Sequence, residues 1–247
     1  ELTFSSILIL TLTGFLAGGI NTLAGGGSNL TIPALMVLGL PADIANGTNR
    51  IAILLQSIVG VVGYDKYKSL DRPAVIPILV PTIIGGIFGA IAAALMPNLY
   101  LKPVLLISIL SMSILILVKP EIIAPAPGTP ILSPTKHLGA WWGLFAAGFV
   151  QAGVGFILLA ALAGGLRYDL IRANALKMAC SIAFTTVAVA IFIFLDKVWW
   201  VPGLILALGS IIGTLLTMKI AVKASQSSIK WFLFLMTLCA VIAGFIF

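Results

Sequence analysis

The sequence predicts an all-α polytopic membrane protein made of two inverted internal repeats, each a Gly-interrupted helical hairpin followed by about three transmembrane helices. Three observations lead there. Apolar runs of spanning length recur along nearly all of the 247 residues. One series of motifs occurs twice, and the loop charges trade places between the two occurrences.

Hydrophobic residues make up 61% of the chain and charged residues 9%, with a mean hydropathy of +1.21. A soluble domain carries about a quarter of its residues as Asp, Glu, Lys and Arg. The shortfall excludes a soluble enzyme, a disordered chain and a secreted disulfide scaffold. The net charge of +7 reads as loop charge and not as a nucleic-acid surface, because Lys and Arg collect in cytoplasmic loops. Cys180 and Cys239 lie within apolar runs and the chain has one His, so neither a structural disulfide nor a metal centre is expected. No cofactor is expected either. The opening apolar segment lacks a basic flank and a small-residue cleavage site, and reads as a spanning or re-entrant segment.

Apolar runs fall at 4–23, 30–40, 45–64, 73–96, 100–118, 138–164, 175–195, 198–218 and 230–247. The one long interruption, Lys119 to Lys136, holds five prolines and reads as an extended linker. Residues 1–118 form the first repeat, 119–136 the linker and 137–247 the second repeat. Gly14-Phe-Leu-Ala-Gly18-Gly19 is echoed by Gly143-Leu-Phe-Ala-Ala147-Gly148, and Ala24-Gly-Gly-Gly27 by Gly153-Val-Gly155-Phe156. Ala45-Asn46-Gly-Thr-Asn-Arg50 is echoed by Ala173-Asn174-Ala-Leu-Lys177. In the first half, the loop after the Asn motif helix has Lys66, Lys68 and Arg72, and the next has Lys102. In the second half the order reverses: Lys197 first, then Lys219, Lys223 and Lys230. Cytoplasmic Lys and Arg then require opposite topologies for the halves.

Inversion requires residues 138–164 to enter and leave on one side, since the linker and the region of Arg167 and Arg172 are both basic. Residues 156–164 make about 14 Å of helix, too short for a bilayer core of about 30 Å. A hairpin broken at its glycines satisfies this, and residues 4–40 would turn at Gly25-Gly26-Gly27 in the same way.

The break holds the strongest site signal. Asn21 precedes Gly25, Gly26, Gly27, Ser28 and Asn29, and Pro33 follows. Three glycines expose backbone N–H groups, and a half-helix over 30–38 opening near Pro33 would aim its donors at an anion. The alternative is that the glycines only allow close helix packing. Asn46, Thr48, Asn49 and Arg50 open the next helix, with Arg50 about 22 Å from Asp65. A cation at that depth faces a pathway or a partner, unless it snorkels or pairs with Asp43. Asn174 and Lys177 match this position in the second half, with Lys177 nearer a surface, where snorkelling and binding are both open. Gln56, Ser57, Ser181, Thr185 and Thr186 share the cationic faces by spacing, and Gln151, Gly153 and Gly155 are the second break's counterparts. Gly85 and Gly89, Gly139 and Gly143, and Gly209 and Gly213 read as packing pairs. Trp141, Trp142, Trp199, Trp200 and Trp231 read as interfacial anchors, and His137 as an interfacial residue. No Asp or Glu lies within an apolar run; with Arg50 and Lys177, that favours an anionic substrate.

Gly25-Gly-Gly27 with Pro33, then Gly39-Leu40-Pro41 and Ala45-Asn-Gly47-Thr48, resembles the TauE/SafE family over essentially the whole chain. The resemblance implies a plasma-membrane carrier of small sulfur-containing anions such as sulfite, sulfoacetate and other organosulfonates. The second half lacks a third consecutive glycine and the Gly-Thr pair, and Asn49-Arg50 stands where many members have Ser. The expected function is therefore a secondary transporter, working as an exporter by alternating access, and not an enzyme. An anion channel, or a carrier of another small organic anion, is the alternative. The expected partners are a small anionic substrate and the lipid bilayer, without nucleic acid; a homodimer stands open beside a monomer.

Overall fold

The computed structural model describes residues 3–23, 25–118, 130–133, 138–150 and 154–221, with residues 238 and 242. Most of the Pro-rich linker, His137, Gln151, Gly153 and almost all of the last apolar run lie outside the described residues. In chain order the helices are α1 (Phe4–Leu23), α2 (Ser28–Val37), α3 (Ala42–Lys66), α4 (Arg72–Leu95) and α5 (Asn98–Val118). Then come α6 (Leu138–Val150), α7 (Val154–Leu159), which runs on into a π-helical turn (Ala160–Gly165), α8 (Leu170–Phe194) and α9 (Trp200–Ala221). All regular structure among the described residues is helical. Four of these helices, α1, α4, α8 and α9, are long and apolar enough to cross a membrane, as a polytopic membrane protein requires. At 25 residues α3 is as long as α8, but Asn46, Asn49, Arg50 and Gln56 lower its hydropathy.

Local chemistry sets the boundaries. Gly25 and Gly26 take φ of +78° and +106°, which only glycine adopts without strain, and α1 ends there. The expected half-helix over 30–38 begins earlier, at Ser28, with Pro33 inside it. The reason is that Asn29 N–H donates to Gly26 O at 2.9 Å and Leu30 N–H to Gly27 O at 3.1 Å, so the glycine turn itself nucleates α2. Asp169 caps α8, accepting from Arg172 N–H at 3.0 Å, as an N-cap carboxylate does.

Helix directions follow from close approaches. A Cβ on Gly209 would overlap Thr11 O and one on Gly213 would overlap Phe15 O, so α1 and α9 run parallel in close contact. Gly203 sits beside Thr48 and Gly63 beside Met218, which makes α3 parallel to α9. Gly47 lies against Phe192 and Gly60 against Met178, so α3 and α8 are antiparallel. Gly143 meets Ala161 while Gly165 meets Ala140; α6 and the α7–π segment therefore fold back on each other as a hairpin. The packing is also matched across the halves: α1 packs on α9 as α6 packs on α4, and α3 on α9 as α8 on α4.

These directions sort the charges. The α3–α4 loop adjoins the chain before α8, where Tyr168 donates its hydroxyl to Asp71 at 3.2 Å. Lys66, Lys68, Arg72, Arg167, Arg172 and the α9 terminus at Lys219 therefore share one face of the bundle. The opposite face has Lys102 and Lys197. On the basic face Arg72 pairs with Asp65 at 2.8 Å and holds its carboxyl below the usual carboxylate range.

Candidate functional site: two buried cations on antiparallel helices

Arg50 and Lys177 are both fully buried. Arg50 stands eight residues into α3 and Lys177 seven into α8, and each turns its charge back on the Asn one turn before it. Arg50 Nη2 donates to Asn46 Oδ1 at 2.6 Å, and Lys177 Nζ to Asn174 Oδ1 at 2.6 Å. Neither side chain snorkels. Nor does Asp43 serve Arg50: it pairs with Lys197 at 3.0 Å, and Lys197 also donates to Ala94 O at 2.5 Å.

Lys177 reaches across the halves. Its Nζ donates to the main-chain carbonyl of Asn21 near the end of α1. Beside it, Asn174 Nδ2 donates to Leu23 O at 3.2 Å and Tyr64 Oη to Thr22 O at 2.9 Å. The last carbonyls of a helix have no intrahelical donors and carry the negative end of its dipole. Gly25 N–H also reaches Asn21 O at 3.3 Å, and the three side chains, one of them cationic, complete the bonding at the end of α1. The site on the α1 break is thus closed by the second half of the chain.

The glycine break is a crossing point. A Cβ on Gly25 would lie 2.6 Å from Gly155 C, and one on Gly155 would lie 2.6 Å from Gly25 Cα. Close packing is therefore one function of these glycines, beside any use of their N–H groups. Just beyond, Thr31 Oγ1 and Asn49 Oδ1 are 2.6 Å apart, and Asn49 Nδ2 donates to Ser28 Oγ at 3.4 Å; Asn29 is buried in the same turn. Thr48 turns the other way and accepts the Trp199 N–H at 3.0 Å, tying α3 to the chain before α9. Thr31 and Tyr64 were not singled out in the sequence. A buried hydroxyl in a glycine-flanked half-helix is a usable signal for Thr31; nothing local marks Tyr64.

Asn21, Asn174 and Lys177 are therefore brought together at the α1 end, Ser28 and Asn49 at the α2–α3 contact, and Asn46 and Arg50 on α3. A separate cavity of about 450 Å³ lies on the weakly charged face, lined by Ser6, Leu10, Leu38, Leu40 and residues 199–202, and includes none of the predicted site residues. Every described carboxylate lies at a helix end or in a loop. Buried cations and amides on long apolar helices can neutralise an anion within a membrane.

Apolar helices around buried cations suit a membrane transport protein, in which such groups line a pathway. Residues 10–244 match the family described as Sulfite exporter TauE/SafE, and the chain belongs to that family. It is 26% identical to a "Probable membrane transporter protein ORF9" of Sinorhizobium sp, over 93% of this chain and 88% of that protein. A "Probable membrane transporter protein" of Haemophilus influenzae is 25% identical over 91% and 88%. The "Probable membrane transporter protein YfcA" of Escherichia coli K12 is 23% identical over 90% and 83%.

Proposed function

We propose that this membrane transporter is a secondary carrier that exports small sulfur-containing oxyanions, such as sulfite, sulfoacetate or other organosulfonates, across the plasma membrane by alternating access. The observation that carries the reading is the pair of fully buried cations, Arg50 and Lys177, at matching positions of antiparallel helices. A buried cation costs several kcal/mol in solvation, and an anionic cargo that visits it gives a reason to retain it. Guanidinium and ammonium donors suit sulfite and sulfonate oxygens. Asn21, Asn46, Asn49, Asn174, Ser28 and the breaks at Gly25–Gly27 and Gly155 would complete the site.

The two halves act as inverted repeats in this reading. Support comes from the opposite directions of α3 and α8 and from the matched packing of α1 on α9 and α6 on α4. Rocking of one repeat against the other would then expose the site to each side in turn. The face with Lys66, Lys68, Arg72, Arg167, Arg172 and Lys219 would be cytoplasmic. Export of an anion from a cell that is negative inside runs down the electrical gradient, so no buried carboxylate is needed for coupling.

The test is counterflow of labelled sulfite and sulfoacetate in proteoliposomes. Transient accumulation is expected with the wild type, and a loss of about tenfold or more with Arg50→Ala, the size of a lost charge-assisted hydrogen bond. Unitary currents without counterflow would make the protein a channel. Accumulation that Arg50→Ala leaves unchanged would remove Arg50 from the site.

A further inference from the structure

Hydroxyls on membrane helices ordinarily donate to the carbonyl one turn back, which satisfies them without any outside partner. Thr11, Thr22, Thr82, Thr186 and Ser210 do this, at 2.7 to 2.9 Å. Ser57 and Thr185 do not. Their hydroxyl oxygens, and the side-chain oxygen Oε1 of Gln56, are buried without a hydrogen-bond partner among the described residues. Ser57 and Thr185 are fully buried and Gln56 is 3% exposed. An orphaned polar atom in such a place is costly and calls for an explanation.

The three residues belong to one place. Gly60 of α3 faces Met178 of α8, and Gly47 faces Phe192, so thirteen steps along one helix match fourteen back along the other. Ser57, three residues before Gly60, then stands at the level of Ser181, three residues after Met178, and Thr185 is one turn beyond. Gln56 shares that face of α3. All four lie more than two turns from either end of their helices. Because α3 and α8 are antiparallel, Arg50 lies about 10 Å from this level toward one face of the membrane, and Lys177 about 6 Å toward the other.

We propose that Gln56, Ser57 and Thr185 form a mid-membrane binding site for the oxygen atoms of a sulfonate or sulfite-type anion on its way between Arg50 and Lys177. This rests on the transport reading above. Two hydroxyls donate to an anion directly, and the Gln56 carboxamide does so by presenting its nitrogen in place of its oxygen. Neutral donors between two cations would hold the anion loosely enough for it to leave.

The test is cysteine accessibility in membranes, on a background in which Cys180 and Cys239 are replaced by Ala. Ser57→Cys and Thr185→Cys are treated with a sulfonate-bearing and a trimethylammonium-bearing methanethiosulfonate, with Val62→Cys, 64% exposed on the outer face of α3, as the lipid-facing control. Both inner cysteines should react, with the anionic-to-cationic rate ratio at least about fivefold above that of free cysteine, as a positive local field requires. Sulfoacetate should slow the reaction. No labelling, or a ratio at or below that of free cysteine, overturns the proposal; a ratio below it would point to a cation held by these oxygens.

A second measurement does not depend on the cysteine variants. Ser57→Ala and Thr185→Val each remove an orphaned hydroxyl, so a purely structural role predicts an equal or higher melting temperature with unchanged KM. The proposal predicts equal or higher melting temperature with KM for sulfoacetate raised about fivefold or more, the worth of a lost hydrogen bond. Anion-selective labelling in protein that shows no counterflow of sulfur anions would keep the site and reject the cargo.

Discussion

Lys177, on α8 of the second half, donates its ammonium to the main-chain carbonyl of Asn21, near the end of α1 in the first. The two are 156 residues apart in the chain. The contact joins the broken hairpin of one half to the long central helix of the other, and does so with a charge at the negative end of a helix dipole. Replacing Lys177 by Met keeps the volume but leaves Asn21 O and Asn174 Oδ1 without this donor. A loss of about 1–3 kcal/mol is expected, chiefly for Asn174 Oδ1, since Asn21 O keeps the Gly25 N–H at 3.3 Å, and it is read as a lower unfolding temperature of the purified protein in detergent. An unchanged midpoint would mean that Asn21 and Asn174 find other donors.

The α1–α9 contact depends on backbones touching. A methyl group on Gly18 would overlap the Ser210 carbonyl, and one on Gly213 would overlap Phe15 O. Gly18→Ala should force the helices apart and cost about 1–3 kcal/mol. Gly139, where nothing lies within 4 Å of an added Cβ, is the control: Gly139→Ala should melt at or slightly above the wild-type temperature. Equal melting of the two variants would contradict this packing.

Gly25→Ala combines two penalties, the left-handed φ of +78° and overlap with the Gly155 backbone at 2.6 Å. The strain alone is about 1–2 kcal/mol. Transport by this variant should fall more than that of Gly155→Ala, whose φ is not left-handed but whose Cβ makes the reciprocal overlap with the Gly25 backbone. Transport rates of protein matched for folded yield decide between them.

Tyr168, in the chain before α8, is pushed up to about 12, first by burial and then by Asp71, which accepts its hydroxyl. A raised folded-state pKa gives stability that is complete below the unfolded value of about 10 and is lost as pH rises through the folded value. Alkaline loosening between about pH 10 and pH 12 should therefore be reduced in Tyr168→Phe. The wild-type minus variant phenolate absorbance should titrate near the upper value; a difference titrating near 10 would mean that the Tyr168–Asp71 contact does not persist in solution.

Legible in the amino-acid order alone are the membrane class, the approximate spans of the described long helices, the glycine break after α1 and the matched cations Arg50 and Lys177. Each of these is written in hydropathy over one helix length, or in residues whose backbone or solvation demands are local: a run of glycines cannot continue a spanning helix, and a cation within an apolar run is costly wherever the helix packs. The start of α2 was misplaced because Pro33 is a local helix signal, whereas the glycine turn that begins the helix works through main-chain bonds.

What those residues meet depends on packing between distant segments. Lys177 lies beyond the reach of solvent because α1 ends against it; Asp43 is taken by Lys197 and not by Arg50; Gly25 is pressed on Gly155; Ser57 and Thr185 keep their hydroxyls uncommitted about one turn apart in height on two antiparallel helices. Partners drawn from opposite halves of a chain leave no periodicity in either half. Their pairing exists only once the helix directions and registers are set by close approaches such as those of Gly18 to the Ser210 backbone and Gly60 to the Met178 side chain.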